Sequence, residues 1–299
     1  MFDGFATSVI DVGETSIFIR RKGSGSPLLL LHGFPQTHAM WHRVAPRLAE
    51  RFTVVCADLR GYGASGKPRS SADHAPYAKR AMAHDMIQLM ERLGFPSFGL
   101  VGHDRGGRVA YRLALDWPER VERLAVLDII PTSEAFARAD SRFALAFWPW
   151  ALLAQPEPLP ERLIAAAPEA VVDDALSQWG SDAARFPADV RTAYVEALRD
   201  REAVHAICEE YRAAATLDVE HDLADRKTGR RIACPTLALW SAGSALDTWY
   251  ATEGGPLAIW RAWIKQGAEE VRGRAIAGGH FFPEVNPDET AAELAAFFS

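Results

Sequence analysis

One turn constrains the fold of this chain more than any other feature: Leu100-Val101-Gly102-His103-Asp104-Arg105-Gly106-Gly107. It lies between a short apolar run, residues 98–102, and a helical pattern, residues 105–116. Glycines flank the central residue because a larger side chain in so tight a turn would collide with the backbone. This is the pattern of a nucleophile elbow, in which Asp104 takes the place of the usual serine. Its carboxylate would attack to form an ester of the protein.

Alternating apolar and helical patterns predict a sheet around this turn. Strands are predicted at residues 16–20, 27–31, 52–58, 98–102, 121–128, 235–241 and 272–276. Helices are predicted at residues 38–50, 105–116 and 257–265, after Pro287, and along the stripe Met82, Met86, Leu89, Met90 and Leu93 that ends at Gly94. Strand and helix alternation requires crossover connections and favours an α/β fold with a mostly parallel sheet.

The alternation stops between residues 132 and 221, where the chain is rich in Ala, Trp and Pro and has helical periodicity. An insertion of this kind predicts a helical cap over the carboxyl edge of the sheet, where open α/β sheets bind ligands. The predicted organisation is an α/β core of residues 1–131 and 222–299 and a helical cap subdomain of residues 132–221.

Composition narrows the classes of partner. A formal net charge of −6 argues against nucleic acid and anionic membranes as partners. The longest aliphatic run, residues 28–31, is too short to cross a bilayer, and the N-terminus lacks the basic and apolar regions of a signal peptide. The cysteines, Cys56, Cys208 and Cys234, have no metal-binding spacing, so we expect buried thiols, no metal site and a cytoplasmic location.

Three further segments support a catalytic interpretation of the elbow over an aspartate that merely caps a helix. Phe34 follows the strand at residues 27–31, and its N–H and that of Arg105 are expected to form an oxyanion hole. Asp128 closes the next predicted strand, and His280 lies in a loop after the last one. The order Asp104, Asp128, His280 is that of α/β-hydrolase triads, with Asp247 as the alternative to Asp128.

The sequence resembles the fluoroacetate (haloacetate) dehalogenases, a branch of the α/β-hydrolase superfamily, along nearly its whole length. The segments that carry the resemblance are His32-Gly33-Phe34-Pro35-Gln36-Thr37-His38, Gly102-His103-Asp104-Arg105-Gly106-Gly107-Arg108, Leu127-Asp128-Ile129, Ala154-Gln155-Pro156, Cys208-Glu209-Glu210-Tyr211-Arg212 and Gly279-His280-Phe281. Related epoxide hydrolases and haloalkane dehalogenases usually carry tryptophan directly after the nucleophile, where this chain has Arg105. The resemblance implies an α/β-hydrolase fold with an inserted helical cap.

Two arginines at the start of the helix after the elbow are consistent with a haloacetate substrate, as the resemblance implies. Arg105 and Arg108 are three residues apart on one predicted helix, so they share a face. Two guanidinium groups beside Asp104 would bind a substrate carboxylate and lower the pKa of the Asp104 carboxyl group. The alternative is a pair of arginines in solvent.

The resemblance also implies a mechanism without metal or organic cofactor. Asp104 displaces halide from a small 2-haloacid, and His280, oriented by Asp128, activates the water that hydrolyses the ester to glycolate. The halide site of the family contains His, Trp and Tyr; Trp150 and Tyr211 match, but Pro149 stands in the His position. The Trp148 indole could compensate, and Trp179 resembles a gate residue of the family. A homodimer would fit the family as well.

Two alternatives remain at this point. An epoxide hydrolase would use the same Asp and His but needs two cap tyrosines, and beside Tyr211 the region around residues 148–150 supplies no second one. A non-catalytic ligand receptor of the same fold belongs to a different class, and such proteins usually lose part of the triad. A serine esterase is excluded by Asp104.

Overall fold

One mixed eight-stranded sheet runs through the described part of the chain, in the order β1-β2-β4-β3-β5-β6-β7-β8. The structure is a computed structural model that describes residues 1–265 and 271–299. The strands are β1 (Ala6–Asp11), β2 (Ser16–Lys22), β3 (Pro27–Leu31), β4 (Thr53–Ala57), β5 (Phe98–His103), β6 (Val121–Leu127), β7 (Thr236–Ser241) and β8 (Val271–Ile276). The pairs β1–β2 and β2–β4 are antiparallel. The other five neighbouring pairs, β4–β3, β3–β5, β5–β6, β6–β7 and β7–β8, are parallel, so the sheet is mostly parallel, as predicted.

Helices cover the sheet and the edge where its strands end. They are α1 (Ala45–Leu48), α2 (Lys79–Arg92), α3 (Asp104–Asp116), α4 (Thr132–Ala137), α5 (Ser141–Ala146), α6 (Trp148–Leu152), α7 (Leu159–Ala166), α8 (Pro168–Gln178), α9 (Ala188–Arg199), α10 (Arg201–Ala213), α11 (Val219–Thr228), α12 (Ala245–Trp249), α13 (Gly255–Arg261), α14 (Phe282–Val285) and α15 (Pro287–Phe298). Short 3₁₀ turns lie at His38–His42, Ala75–Tyr77, Ala183–Arg185 and Ala251–Glu253, and a π-helical turn at Ala214–Asp218 joins α10 to α11.

The parallel strands are apolar along their length because helices cover both faces of the sheet. All six residues of β5 are buried, as are Leu28 to Leu31 of β3. In the predicted stripe of α2, Met82, Met86, Leu89 and Met90 are buried and Leu93 is half-buried against the core. Gly94 follows the helix with φ +82°, as expected for a residue that ends it.

Two predicted helices differ in the structure. Residues 38–50 form a 3₁₀ turn and the short helix α1, with Pro46 in its first turn. Proline has no N–H, and its ring clashes with the preceding turn, so one continuous helix cannot form there. The helix predicted at residues 257–265 is α13, which ends at Arg261; the chain then places Ile264 in a parallel bridge with Ile232.

Helices α4 to α11 form an insertion between β6 and β7, here called the cap. The boundary predicted at residues 221/222 falls inside α11. Asp222 of this helix is buried and accepts hydrogen bonds from Arg112 and Tyr111 of α3. The last cap helix is therefore anchored to the helix that begins at the elbow.

The three cysteines are buried and free. Burial raises the pKa of the Cys56 thiol well above its usual range, which fits the expected inert role. None of the helices in the described ranges is long and apolar enough to cross a membrane.

Candidate active site

Asp104 sits at the junction of β5 and α3 with φ +44°, a conformation rarely adopted by residues other than glycine. Strain of this kind costs about 1–3 kcal/mol and is held only where the surroundings enforce it. A Cβ at Gly102 would overlap the carbonyl oxygen of Gly106, and one at Gly106 would overlap that of His32. The steric requirement predicted for the two elbow glycines is therefore confirmed.

Asp104 is 8% exposed and lines a cavity that Asp128 and His280 also line. Its Oδ2 accepts a hydrogen bond of 3.0 Å from the Phe34 N–H, one of the two groups predicted for the oxyanion hole. Burial raises the pKa of Asp104, but the charges of His280 and Arg105 lower it more, so it lies below its ordinary value. Asp104 is therefore a carboxylate at neutral pH.

Asp128 and His280 form the second pair at this edge. Asp128 Oδ2 lies 2.6 Å from His280 Nδ1, and its Oδ1 accepts 2.8 Å from the Ser241 N–H. Burial lowers the pKa of His280, but its hydrogen bond to Asp128 and that residue's charge raise it above the ordinary value. The alternative, Asp247, instead accepts from Trp240 Nε1 at 2.7 Å and Gly243 N–H at 2.8 Å, within its own loop.

The loop that carries His280 is held against the cap. The His280 N–H donates to the carbonyl oxygen of Trp179 at 2.8 Å, and the Trp179 ring lies edge-on to the imidazole, with centroids 5.6 Å apart. A Cβ at Gly279 would overlap the backbone of Gly180. Trp179 thus packs directly on the loop of the predicted base.

Arg105 departs from the predicted two-arginine clamp. Its side chain is fully buried, and its Nε and Nη2 donate to Glu210 of α10 at 2.9 Å and 2.5 Å. The guanidinium carbon lies 3.9 Å from the centroid of the Tyr211 ring. Only Nη1 is left without a partner among the described residues. The predicted shared face exists, but most of this guanidinium group binds the protein's own carboxylate.

Glu210 is the centre of a buried charge cluster that the sequence did not reveal. Besides Arg105, its carboxylate accepts from Lys79 Nζ and, at 3.2 Å, from Tyr62 Oη. Lys79 also lies 3.6 Å from Asp218. Burial lowers the pKa of Lys79, and the charge of Arg105 lowers it further. Glu210 of the cap therefore holds Arg105, which lies more than a hundred positions earlier in the chain.

Arg108 retains a group that can bind an anion. It is 4% exposed and lines the cavity together with Asp104. Nη1 donates to Ile130 O at 3.1 Å and Thr132 Oγ1 at 3.2 Å, whereas buried Nε has no partner among the described residues. Burial lowers the pKa of Arg108 to about 10, helped by the charge of Arg105, so it remains a cation at neutral pH.

The predicted cap residues line one cavity of about 530 Å³ with Asp104, Asp128 and His280. They are Trp148, Pro149, Trp150, Trp179 and Tyr211. The Trp148 Nε1 donates to Asp174 Oδ2 at 3.2 Å, so this N–H already has an acceptor. The Trp150 ring lies 4.3 Å from the Arg108 guanidinium carbon. Burial raises the pKa of Tyr211, so its hydroxyl group is a donor at neutral pH.

A second tyrosine, Tyr250, also lines the cavity and was not found from the sequence. Its surroundings differ from those of Tyr211. Burial raises the pKa of Tyr250, and the charges that act on it most are those of Arg138 and Glu253. For Tyr211, they are those of Arg105 and Asp104. The Tyr211 ring packs on the guanidinium group of Arg105, the residue after Asp104, whereas Tyr250 lines the cavity from the segment after β7.

The sheet order, the elbow and the cap define the α/β-hydrolase fold, and the family model described as "alpha/beta hydrolase fold" matches residues 26–287. A fluoroacetate dehalogenase from Burkholderia sp. is 45% identical over 300 aligned residues, covering 100% of this chain and 95% of its own. A solved α/β hydrolase from Nostoc sp. PCC 7120 has a TM-score of 0.93 and 44% identity, covering 100% of this chain and 99% of its own. A soluble epoxide hydrolase from Corynebacterium sp. is 50% identical over 109 residues, 36% of each chain.

The chain therefore belongs to the α/β-hydrolase family, in the branch that contains fluoroacetate dehalogenase.

Proposed function

We propose that this hydrolase removes halide from small 2-haloacids, with Asp104 as nucleophile, Asp128 and His280 as the other triad members, and haloacetate as the simplest substrate. The observation that carries the proposal is Arg108, a buried cation with an unpaired Nε, lining the same cavity as the ionised Asp104. A buried guanidinium group with an open donor is suited to a carboxylate ligand. The full-length similarity to a fluoroacetate dehalogenase supports the same substrate class.

In the first step, Asp104 attacks the α-carbon of the bound haloacid. A carbon–oxygen bond forms, the carbon–halogen bond breaks, and halide leaves with the electron pair. The Phe34 N–H binds Oδ2 of Asp104, while its Oδ1 takes no hydrogen bond from the described residues and is the attacking atom. Arg108 and the free Nη1 of Arg105 hold the carboxylate, and alignment of reacting groups can contribute about 7–11 kcal/mol.

In the second step, His280 accepts a proton from water, and the resulting hydroxide attacks the carbonyl carbon of the Asp104 ester. The oxyanion is stabilised by the N–H groups of Phe34 and Arg105. The tetrahedral intermediate collapses by breaking the ester bond, and the proton of its hydroxyl group passes to the departing alkoxide. This releases the 2-hydroxy acid and regenerates the carboxylate, and His280 loses its proton to solvent. Asp128 keeps His280 in the tautomer with Nδ1 protonated, so that Nε2 is the base.

An epoxide hydrolase is the second candidate, because a relative of that class matches a third of the chain. It would need two tyrosines aimed at one epoxide oxygen near the nucleophile. Tyr211 packs on Arg105, the residue after Asp104, whereas Tyr250 lines the same cavity from the segment after β7. An epoxide also gains nothing from a buried cation such as Arg108, so the charges favour an acid substrate.

The substrate carboxylate is tested by comparing chloroacetate with 1-chlorobutane. We expect chloroacetate to be strongly preferred, because a neutral haloalkane leaves the buried donor of Arg108 unpaired. Arg108→Ala should lower kcat/KM for chloroacetate. The loss should correspond to about 2–4 kcal/mol of transition-state stabilisation, the cost of truncating one side of a buried charged pair. Halide release measures both values. Equal rates on the two substrates, or faster opening of styrene oxide, would contradict the proposal.

The pH dependence of ester hydrolysis tests the role of His280. Only neutral imidazole accepts a proton, so hydrolysis should slow as the pH falls through the pKa of His280. Asp128 raises that pKa, so Asp128→Asn should move the midpoint to lower pH and reduce the plateau rate by up to about 10⁴-fold. Rapid-quench measurement across the neutral range gives both values. The matched control is Asp247→Asn, and an equal effect there would reassign the acid.

Glu210→Gln tests whether α10 positions Arg105. Removing the charge leaves two cations, Arg105 and Lys79, with a weaker acceptor, so we expect KM for chloroacetate to rise about tenfold or more with a smaller change in kcat. Loss of a buried pair also destabilises by about 3–5 kcal/mol, so thermal unfolding is measured in parallel. Glu209→Gln, which affects Arg212, is the control. Loss of stability with unchanged KM would leave Glu210 a purely structural residue.

A further inference from the structure

The cavity above Asp104 is much larger than a two-carbon acid. Its volume is about 530 Å³, and cavities of roughly 300–1,000 Å³ hold drug-sized ligands. Haloacetate held between Asp104 and Arg108 would occupy only the part next to the sheet edge. Most of the cavity would then remain unfilled by this substrate.

The remaining volume is lined mainly by apolar side chains. We call this part the outer chamber and define it by Ala135, Phe143, Phe147, Leu246 and Tyr250. All five residues are at most half-exposed, and Ala135 and Leu246 are 4% and 6% exposed. They belong to the start of the cap and to the segment after β7, whereas the charged groups of the site lie on the sheet edge and α3.

A row of aromatic rings leads from the arginine to this chamber. The Arg108 guanidinium carbon is 4.3 Å from the Trp150 ring centroid, and Trp150 contacts Phe143 with centroids 5.4 Å apart. Phe143 lies 5.1 Å from Phe147 in turn. Leu145, which also lines the cavity, is 82% exposed and marks its open end. The cavity therefore passes from charged to apolar to solvent-exposed.

We infer that the outer chamber binds an apolar substituent on the α-carbon, so that the substrates are 2-haloacids with an alkyl or aryl group at that carbon. This inference rests on the proposed function and specifies its substrate class. The reaction is unchanged: Asp104 forms the carbon–oxygen bond as halide leaves with its electron pair. The substituent contributes by burial of apolar surface, and it displaces water from a chamber whose walls are mainly apolar.

The chamber also sets a stereochemical expectation. An α-carbon that carries hydrogen, a substituent, a carboxylate and a halogen is stereogenic. Arg108 fixes the carboxylate, and Asp104 attacks opposite the halogen, so only one enantiomer can place its substituent in the chamber. Attack on the face opposite the halogen inverts the configuration at the α-carbon. Conversion of a racemic acid should therefore stop when about half of it has reacted, and the product should be a single enantiomer of the hydroxy acid.

The test uses racemic 2-chloro-2-phenylacetate and chloroacetate with the wild-type protein and with Ala135→Leu, which fills the chamber from α4. Because a phenyl group alters the reactivity of the α-carbon, the measured value is the ratio of the two kcat/KM values within each protein. We expect Ala135→Leu to lower this ratio about tenfold or more, a usual discrimination for a lost apolar pocket. Leu246→Trp, which fills the chamber from α12, should have the same effect.

Leu159→Phe, a 51% exposed position on α7, enlarges an apolar side chain outside the cavity and is the control. An unchanged ratio in both chamber variants, or chloroacetate turnover with no release of chloride from the phenyl acid, would overturn the inference and leave the proposed function standing. No chloride release from either acid would overturn both. Conversion of the racemate to completion by the wild-type protein would contradict the placement of the substituent in the chamber.

Discussion

His280→Asn is expected to react once with chloroacetate and then stop. The first step needs only the Asp104 carboxylate, which remains intact, whereas the second needs a base that asparagine does not supply. The general base contributes about 10²–10⁴-fold, so steady turnover should fall by at least that factor while the ester accumulates. Mass spectrometry of the digested protein should find one carboxymethyl group on the peptide that contains Asp104.

The neighbouring histidine makes this experiment specific. His103 lies next to Asp104, and its ring centroid is 4.6 Å from that of His280. Burial and the nearby His280 lower the pKa of His103 to about 4, so His103 is a poor base at neutral pH. It should not rescue the variant. His221→Asn, in the cap helix α11, is the control and should turn over repeatedly. An adduct on another peptide would refute Asp104 as nucleophile.

Fluoroacetate is expected to be a much poorer substrate than chloroacetate. Fluoride is the most strongly hydrated halide, so breaking the carbon–fluorine bond requires several donors in a dry pocket. Trp150 and Tyr211 line the cavity, but Pro149 has no side-chain donor, and the Trp148 N–H already donates to Asp174. One missing donor costs about 2.7–4 kcal/mol, a factor of about 10²–10³.

Pro149→His sharpens this experiment, because it adds an imidazole donor in the first turn of α6. We expect it to raise the ratio of fluoroacetate to chloroacetate kcat/KM, with the smaller effect on chloroacetate because chloride leaves with more diffuse charge. Asp174→Ala, which releases the Trp148 N–H, should raise the same ratio if that indole can turn inward. Halide release from both acids gives the values. A wild-type ratio of one or more would mean that another cavity residue already completes the halide site.

Features set by local geometry could be predicted from the sequence. The elbow needs glycine at residues 102 and 106 wherever it occurs, and the apolar runs of β3 and β5 have no stable place other than a covered parallel sheet. Chain order then brings Asp104, Asp128 and His280 to one edge, because parallel strands end on the same side. That topology brings Asp128 and the His280 loop to the same edge, within reach of each other.

Other features depended on contacts between distant segments. Asp128 contacts His280, which lies 152 positions later in the chain, whereas Asp247 is held by Trp240 and Gly243 close to it in the sequence. The size and apolar lining of the cavity arise where the start of the cap meets Leu246 and Tyr250. The cavity has no sequence signature, because it depends on which residues the cap places opposite the segment after β7.

The arginine pair shows the same division within one site. That Arg105 and Arg108 share a face of α3 follows from their spacing, because residues three apart are neighbours on a helix. Which ligand each one binds was decided by the tertiary structure. Glu210 of the cap binds Arg105, whereas Arg108 lines the cavity and its Nε has no partner among the described residues. A buried cation is stable only with a partner, and helical spacing says nothing about which distant carboxylate the cap places beside it.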